Sequence, residues 1–381
     1  MRSVPARGGL ACKRIGRGLR AALTLVAMIS VNACGSSHAP RERVLYVYNW
    51  ADYIGQDTVA DFEAKTGIRV IYDTYDSDET AEGKLLAGDS GYDVVTASTD
   101  YFARQIKAGV YEPLDRSKLP NWKNLDPHAL AFESRADPGN RYAVPYMHSI
   151  NGFAYNIAAI RKRMPDAPVD SLDMLFKPEV VKRFAGCGVS FLDSPEDVLQ
   201  LALNYLHIDP NTTRESDYLQ AEKLLLSVRP YIRAFDSAEY MNGLVDGDFC
   251  IAMSWSADYS VAQARARAAG LHLDLAFTVP REGANLTYDA WLIPVGAPHP
   301  RAAYAWLNYL LEPRVIAAIT NQIHYGNDNL AANPYVDPAI LHDPIVYPTP
   351  QIEARLYESK EVSAPLERLR TRIWMTIKTG I

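Results

Sequence analysis

The sequence predicts an α/β protein whose sheets are mostly parallel and flanked by helices. Segments typical of strands alternate with segments typical of helices from residue 44 to residue 97, and the alternation returns from residue 249 to residue 311. The chain has 381 residues, of which 48% are hydrophobic. That is ample for a buried core and favours two compact lobes over one.

The first alternating region consists of three predicted strands separated by two predicted helices. Gly67 is expected to end the first helix, because glycine readily adopts the left-handed conformation that closes many helices. The predicted strands are residues 44–50, 68–73 and 92–97, and the predicted helices are residues 58–66 and 79–87. This order is typical of a largely parallel sheet.

The second alternating region repeats the pattern closer to the C-terminus. The predicted strands are residues 249–255, 273–279 and 290–295, and the predicted helices are residues 257–269 and 301–311. The α/β prediction therefore covers both halves of the chain.

The first 33 residues have the organisation of an export signal. Six basic and no acidic side chains come first, an apolar run follows at residues 21–31, and small residues surround Cys34. The run is too short to span a membrane, which takes about 20 apolar residues. We predict a signal at residues 1–33, a linker at residues 34–43 and a periplasmic location.

Cys34 follows Ala33 and precedes Gly35, an arrangement that resembles a bacterial lipobox, in which the cysteine is lipidated and becomes the first residue. Asn32 departs from that pattern, and ordinary cleavage near Ala33 is the alternative. Lipidation of Cys34 would tether the protein to a membrane.

Removal of the signal makes the chain strongly acidic. The formal charge is −6 for the full sequence and −12 without residues 1–33, which hold six basic side chains and no acidic ones. A protein of that charge is a poor nucleic-acid binder, and it is suited to collecting cations.

Two further cysteines, Cys187 and Cys250, remain inside the exported chain. An oxidising compartment favours one disulfide between them, and the alternative is two buried thiols. The closed loop of about 63 residues would contribute about 4 kcal/mol in the chain-entropy account.

Aromatic and acidic residues recur together just after the predicted strands, where ligands bind in open α/β sheets. Carboxylates accept charge-assisted hydrogen bonds from an ammonium group, and aromatic faces attract the cation and cover a methylene chain. Each residue alone is as well explained by core packing or helix capping, so the recurrence carries the prediction. The residues concerned are Trp50, Asp52, Tyr53, Ser98, Asp100, Trp255, Asp258, Tyr288 and Asp289.

Motifs of the common enzyme classes are missing. The sequence has no Gly-x-Ser-x-Gly elbow, phosphate loop, dinucleotide glycine fingerprint or His-Glu-x-x-His. Its eight histidines show no metal-ligand spacing. We expect no catalytic residues, no cofactor and no metal. Because two carboxylates suffice for glycoside hydrolysis, a secreted hydrolase with acidic cleft residues is the alternative from another class, and turnover would distinguish it.

The chain from residue 44 to residue 381 resembles the bacterial periplasmic polyamine-binding proteins, the receptors of spermidine/putrescine ABC transporters. The likeness is greatest to the putrescine-binding branch and includes the two internal cysteines. The motifs that carry it are YNWADYI (48–54), GKLLAG (83–88), NWKNLDP (121–127), VPYM (144–147), CGVSFLD (187–193), NYL (204–206) and RTRIW (370–374).

The resemblance implies a type II periplasmic binding protein fold, with two α/β lobes joined by crossover strands that close on the ligand. Lobe one would be residues 44–146 plus 272–340, and lobe two would be residues 147–271 plus 341–381. It also implies a monomer that works with the membrane permease of an ABC transporter.

Carried over position by position, the resemblance implies a pocket in which Asp258 and Asp289 hold one ammonium group and Asp52 and Asp197 act near the other end. The aromatic residues would pack the methylenes. The full set is Trp50, Asp52, Tyr53, Ser98, Asp197, Trp255, Asp258, Asp289 and Tyr325, with Asp100 and Thr287 as additional pocket residues. Asp193 and Asp115 are expected to be turn or surface acids.

Several positions depart from the putrescine-binding pattern, and together they predict a wider, more acidic pocket. Ala51 replaces a serine, Asp197 a glutamate and Thr287 an aromatic residue, while Asp100 adds a carboxylate and Ser359 replaces a leucine. We predict binding of a polyamine, putrescine first and spermidine second. Cadaverine, agmatine and a thiamine-like or quaternary amine are the alternatives among binding proteins.

Overall fold

Residues 43–380, which the computed structural model describes, fold into eleven strands and sixteen α-helices. The strands are β1 (Val44–Trp50), β2 (Arg69–Tyr75), β3 (Val94–Ser98), β4 (Val144–Asn156), β5 (Val189–Phe191), β6 (Ala234–Phe235), β7 (Ile251–Trp255), β8 (Leu275–Thr278), β9 (Ala284–Leu292), β10 (Gly326–Asn327) and β11 (Leu356–Tyr357). The helices are α1 (Thr58–Thr66), α2 (Asp78–Leu86), α3 (Thr99–Lys107), α4 (Pro127–Glu133), α5 (Ile157–Arg163), α6 (Asp173–Phe176), α7 (Pro178–Val181), α8 (Pro195–Tyr205), α9 (Glu215–Val228), α10 (Tyr240–Asp246), α11 (Asp258–Ala268), α12 (Pro300–Leu310), α13 (Pro313–Ile323), α14 (Pro338–Leu341), α15 (Pro350–Glu353) and α16 (Ala364–Thr379).

The predicted α/β fold is confirmed, and most predicted elements lie within a few residues of their expected positions. α1 ends as predicted at Gly67, whose φ of 69° is left-handed and whose N–H donates to the carbonyl of Glu63. The strand predicted at residues 290–295 is β9, which begins earlier, at Ala284. Its first two residues pair in parallel with β11, and its antiparallel pairing with β4 begins at Leu286.

β4 has 13 residues and is the longest strand of residues 43–380, yet the sequence pattern does not indicate it. Its first eleven residues are all buried, so the alternation that marks a half-exposed strand is missing. Pro145 further weakens the pattern, and the pairing with β9 shifts register between Pro145 and Met147.

The strands form a mixed sheet in the order β2-β1-β3-β9-β4-β7-β5-β6, with β8 and β10 pairing with β4 and β11 with β9. β1 is parallel to β2 and β3, and β5 is parallel to β6 and β7. β4 and β9 run antiparallel to each other and separate the two parallel groups. The outer strands are therefore parallel as predicted, and the two central strands are not.

Each parallel group has its own hydrophobic core. In the first lobe, Leu45 and Val47 of β1 face one core cluster, and Tyr48 faces another on the opposite side of the sheet. In the second lobe, β5, β7, α8 and α9 share one large cluster. β4 contributes Met147 to the first-lobe core and Phe153 to the second-lobe core, so it connects the lobes.

β8 lies with the second lobe, although the predicted boundary at residue 272 assigns it to the first. Its residues Leu275 and Phe277 pack in the second-lobe core, because β8 pairs with the C-terminal half of β4. α16 also packs there through Ile373 and Trp374.

The predicted disulfide between Cys187 and Cys250 is confirmed, and their Cα atoms are 5.5 Å apart. It joins the segment before β5 to the start of β7, two strands that pair directly. The predicted signal, Cys34 and all of the linker except Arg43 lie outside the described residues. Within residues 43–380 no helix has the length and apolar character needed to cross a membrane.

Candidate functional site

A cavity of about 130 Å³ lies where the carboxyl ends of β1, β3 and β7 meet the middle of β9. A single water takes up only about 10–15 Å³ of such space, so the cavity is large enough for a small organic molecule. It is lined by Trp50, Ala51, Asp52, Tyr53, Tyr75, Asp76, Ser77, Asp78, Glu79, Ser98, Asp100, Tyr101, Ser149, Asp193, Ser194, Glu196, Asp197, Ser237, Ala238, Met241, Trp255, Asp258, Asn285, Thr287, Asp289 and Tyr325.

The structure brings every pocket residue implied by the resemblance to this cavity, including Asp100 and Thr287. Tyr288, predicted with Asp289 from its strand position, does not line the cavity and packs against Phe132 instead. Strand ends supply Trp50, Ser98 and Trp255, and β9 supplies Thr287 and Asp289. The remaining residues come from the first turns of helices or from loops. Their proximity is a geometric finding, and their contact with a ligand stays a prediction.

Asp258, the first residue of α11, is 6% exposed and is held by two tyrosines. The hydroxyl of Tyr325 donates to Oδ1 at 2.7 Å, and the hydroxyl of Tyr240 donates to Oδ2. Burial raises the pKa of Asp258 to about 6, because the charged form loses its water. The hydroxyl donors oppose this shift and fix the direction of the carboxylate.

Asp289, in β9, has a similar arrangement on the first-lobe side. It is 7% exposed, and the hydroxyl of Tyr53 donates to its Oδ2 at 2.7 Å. Burial raises its pKa to about 7. The rings of Tyr53 and Tyr325 meet edge to face with centroids 4.8 Å apart, so the two tyrosines hold Asp258 and Asp289 on neighbouring parts of one wall.

Asp197 lies in the first turn of α8 and is 8% exposed. It accepts a hydrogen bond from the side-chain amide of Asn151, and Ser194 caps the helix by accepting from the Asp197 N–H. Burial raises the pKa of Asp197 to about 6, and the neighbouring Glu196 adds to the shift.

Aromatic rings form much of the remaining wall. Trp50 packs against Tyr75 with ring centroids 4.5 Å apart, and Trp255 packs against Tyr240 at 6.3 Å. Such rings exclude water from a methylene chain, at about 0.8 kcal/mol for each CH₂ buried. They also attract a cation, by about 0.5–2 kcal/mol for each well-placed face.

Asp52 and Ser98 line the cavity but already have protein partners. The Asp52 carboxylate is 57% exposed and accepts a hydrogen bond from the Arg265 guanidinium at 2.9 Å. The backbone of Asp52 is left-handed, with a φ of 56°. The Ser98 hydroxyl donates to Asp78 at 2.6 Å. A ligand ammonium would therefore compete with Arg265 for Asp52.

Several cavity residues were missed by the sequence reasoning. Asp76, Asp78, Glu79 and Glu196 add carboxylates, and Asp193 reaches the cavity although the sequence predicts a turn or surface acid there. Asp193 is also bound by Lys378 at 2.9 Å and by the Trp374 indole at 2.9 Å.

A sequence signal for the missed acids exists in the first turns of four helices. Four helices begin at the cavity, namely α2, α3, α8 and α11. Their first turns carry Asp78 and Glu79 in α2, Asp100 in α3, Glu196 and Asp197 in α8, and Asp258 in α11. A helix N-terminus carries a partial positive charge that would repel a cation. The first-turn carboxylates reverse that field.

The lining of the cavity is consequently acidic. Ten of its lining residues are aspartate or glutamate, and among residues 43–380 none that line it is lysine, arginine or histidine. This acidic and aromatic lining suits an elongated organic cation.

Comparisons with known proteins agree with this geometry. The sequence matches the family described as bacterial extracellular solute-binding protein over residues 57–346. It is 44% identical over 344 residues to the putrescine-binding periplasmic protein of Escherichia coli (strain K12), covering 90% of this chain and 93% of that protein. It is 42% identical over 360 residues to a putrescine/agmatine-binding protein of Pseudomonas aeruginosa, covering 94% and 98%.

A solved structure of a spermidine/putrescine ABC transporter protein from Listeria monocytogenes superposes with a TM-score of 0.81 at 26% identity, covering 89% of this chain and 100% of that one. This likeness confirms the two-lobed type II periplasmic binding protein fold. The family match spans most of the chain, and the relatives are similar over nearly their full length. The chain therefore belongs to the family of bacterial extracellular solute-binding proteins.

Proposed function

We propose that this protein captures a polyamine between its two lobes and delivers it to the membrane permease of an ABC importer. The observation that carries the proposal is the lining of the cavity, with ten carboxylates, two tryptophans and, among the described residues, no basic side chain. Relatives named for putrescine and agmatine binding support the same ligand class.

One ammonium group would bind between Asp258 and Asp289. Both carboxylates are buried and oriented by tyrosine hydroxyls, so an incoming ammonium exchanges its water for two fixed acceptors. Trp50 and Trp255 would cover the methylene chain, and Asp197 would act near its other end. Putrescine is the first candidate ligand and spermidine the second.

Closure of the lobes would proceed about β4 and β9, the two strands that run between the cores. The first lobe would contain residues 44–146 and the second α8, α9, α11 and α16, with β8 counted in the second. The protein would act as a monomer in the periplasm, without catalysis, and a lipid on Cys34 would tether it to a membrane.

Calorimetric titration with putrescine, spermidine, cadaverine and agmatine tests the proposal. We expect at least one of them to bind at one site per chain with a Kd in the micromolar range or tighter, and to be recovered chemically unchanged. A thiamine-like or quaternary amine that binds while all four fail would contradict the polyamine assignment. Chemical turnover of the bound amine would favour the hydrolase alternative.

A further inference from the structure

Three basic side chains of the first lobe form ion pairs with three glutamates of the second lobe. The positive charges all lie on one lobe and the negative charges all on the other, so the lobes attract each other here. We call these six side chains the interlobe seam. The pairs are Arg104 with Glu367, Lys107 with Glu361 and Arg135 with Glu358.

The basic side of the seam is anchored to the first lobe. Arg104 and Lys107 lie on α3, whose Phe102 packs in a first-lobe core. Both carboxylate oxygens of Glu82, in α2, accept hydrogen bonds from the Arg104 guanidinium at 2.6 Å and fix its position. Arg135 follows α4 in the same lobe.

The acidic side of the seam is anchored to the second lobe. Glu358 belongs to the segment between β11 and α16, and Leu356 and Val362 on either side of it pack against the second-lobe core. Asn211, between α8 and α9, donates to the carbonyl of Glu358 and accepts from the N–H of Lys360, each at 2.8 Å. The segment therefore moves with the second lobe.

These anchors make the ion pairs depend on how close the lobes are. Separation of the lobes would carry each basic side chain away from its glutamate, so the pairs favour the closed arrangement over an open one. An exposed ion pair contributes little, because water and salt screen it, but several pairs in a row add in the same direction. Ligand affinity rises with the population of the binding-competent state, so a modest bias toward closure becomes measurable.

The seam acts at a distance from the ligand. None of its six side chains lines the cavity. The ion pair between Asp52 and Arg265 also joins the lobes, but Asp52 lines the cavity, so a change there would alter the ligand site as well. A change in the seam alters closure alone.

We propose that the interlobe seam is an electrostatic latch, which holds the lobes closed on a bound ligand and slows its release. The ligand part of this proposal rests on the proposed function. The latch makes ligand retention depend on ionic strength through side chains that do not touch the ligand.

The test reverses one charge of the latch. In Lys107→Glu the attraction to Glu361 becomes a repulsion. We expect the Kd for putrescine, measured by calorimetry, to rise about fivefold, and the release rate, measured by stopped-flow fluorescence, to rise by a similar factor. The substitution also makes the protein more negative, which by itself would strengthen the binding of a cation. Weaker binding is therefore opposite to a general charge effect.

Two further variants separate the latch from damage to the fold. Combining Lys107→Glu with Glu361→Lys restores an attractive pair and should return the Kd to within about twofold of the unmodified protein. Lys65→Glu is the matched control. Lys65 pairs with Glu312 at 2.6 Å and the two side chains are 53% and 32% exposed, against 68% and 30% for Lys107 and Glu361. Lys65 and Glu312 both belong to the first lobe, so the control should change the Kd by less than about twofold.

Salt supplies an independent measurement on the same proteins. Raising sodium chloride from about 20 mM to about 500 mM shortens the screening length from about 20 Å to about 4 Å. Attraction in the unmodified protein and repulsion in Lys107→Glu should both fade. The fivefold difference in Kd between them should therefore shrink to less than about twofold at high salt.

Single-molecule energy transfer between one dye on each lobe counts closed molecules with and without putrescine. We expect Lys107→Glu to lower the closed fraction and the charge swap to restore it. An unchanged closed fraction, a Kd equal to that of Lys65→Glu, or a swap that restores nothing would each overturn the latch while leaving polyamine capture intact. If the unmodified protein binds no amine, the proposed function fails, and the closed fraction of the ligand-free proteins still decides whether the latch exists.

Discussion

Polyamine affinity should fall steeply as the pH is lowered from 8 to 5. The buried carboxylates have a pKa of about 7 for Asp289 and about 6 for Asp258, both raised by burial. The ligand ammonium groups have pKa values near 10 and stay charged throughout. The pH dependence therefore comes from the protein, which must lose a proton from each contacting acid before the cation can bind.

The magnitude follows from the two pKa values. A carboxylate that must be ionised lowers affinity about tenfold for each pH unit below its pKa. At pH 5 Asp289 contributes about 100-fold and Asp258 about tenfold, so the Kd should rise about 1,000-fold between pH 8 and pH 5.

Calorimetry at half-unit pH intervals, with circular dichroism at each pH to confirm folding, measures this effect. Titration in two buffers should also show net proton release near pH 6. A Kd that stays constant from pH 8 to pH 5, or that becomes smaller at low pH, would refute the assignment of these two carboxylates to the ligand.

Three other predictions concern the disulfide, the aromatic wall and lobe closure. Replacing Cys187 and Cys250 by serine should lower the free energy of unfolding, measured by urea titration, by about 4 kcal/mol. Polyamine affinity should stay nearly unchanged, because neither cysteine lines the cavity. An unchanged free energy of unfolding would contradict the stabilising role of the disulfide. Trp255→Ala should weaken polyamine binding by about 2–4 kcal/mol, because packing and cation–π attraction are lost. Trp122→Ala, which changes a tryptophan outside the cavity, should leave the affinity unchanged. Equal losses of affinity in the two variants would show that Trp255 does not contact the ligand. Small-angle scattering should show a smaller radius of gyration at ligand saturation, and an unchanged radius would count against closure about β4 and β9.

Local signals predicted the α/β fold and part of the cavity lining, and the family resemblance added Asp197, Thr287 and Tyr325. Trp50, Ser98 and Trp255 end strands, and the carboxyl ends of strands meet at one edge of each sheet. β4 was missed because burial of its first eleven residues removes its alternation. The packing of β8 in the second core follows from pairing with a strand more than 100 residues away, which local signals do not reveal.

Long-range pairing also explains what the sequence did not reveal within the site. Nothing in the neighbourhood of Asp52 indicates that Arg265 pairs with it, since 213 residues separate them. The link from Asp258 to Tyr240 and Tyr325 likewise depends on how α10, α11 and β10 assemble. Glu196 could have been found from its first-turn position, but its ion pair with Arg370, far along the chain, required coordinates.

The most direct test of the central claim compares Asp289→Asn with Asp115→Asn by calorimetry with the tightest-binding polyamine. Each variant loses one negative charge. The amide oxygen introduced by Asp289→Asn can still accept from the Tyr53 hydroxyl, and Asp115 is an exposed acid that caps a short turn. The buried ammonium of the complex would lose one of its two charged acceptors in Asp289→Asn, so its affinity should fall by about 2–5 kcal/mol, roughly 30-fold to several thousand-fold. Asp115→Asn should bind as the unmodified protein does. Equal affinities of the two folded variants would contradict the ammonium site, and with it the claim that this acidic cavity captures a polyamine.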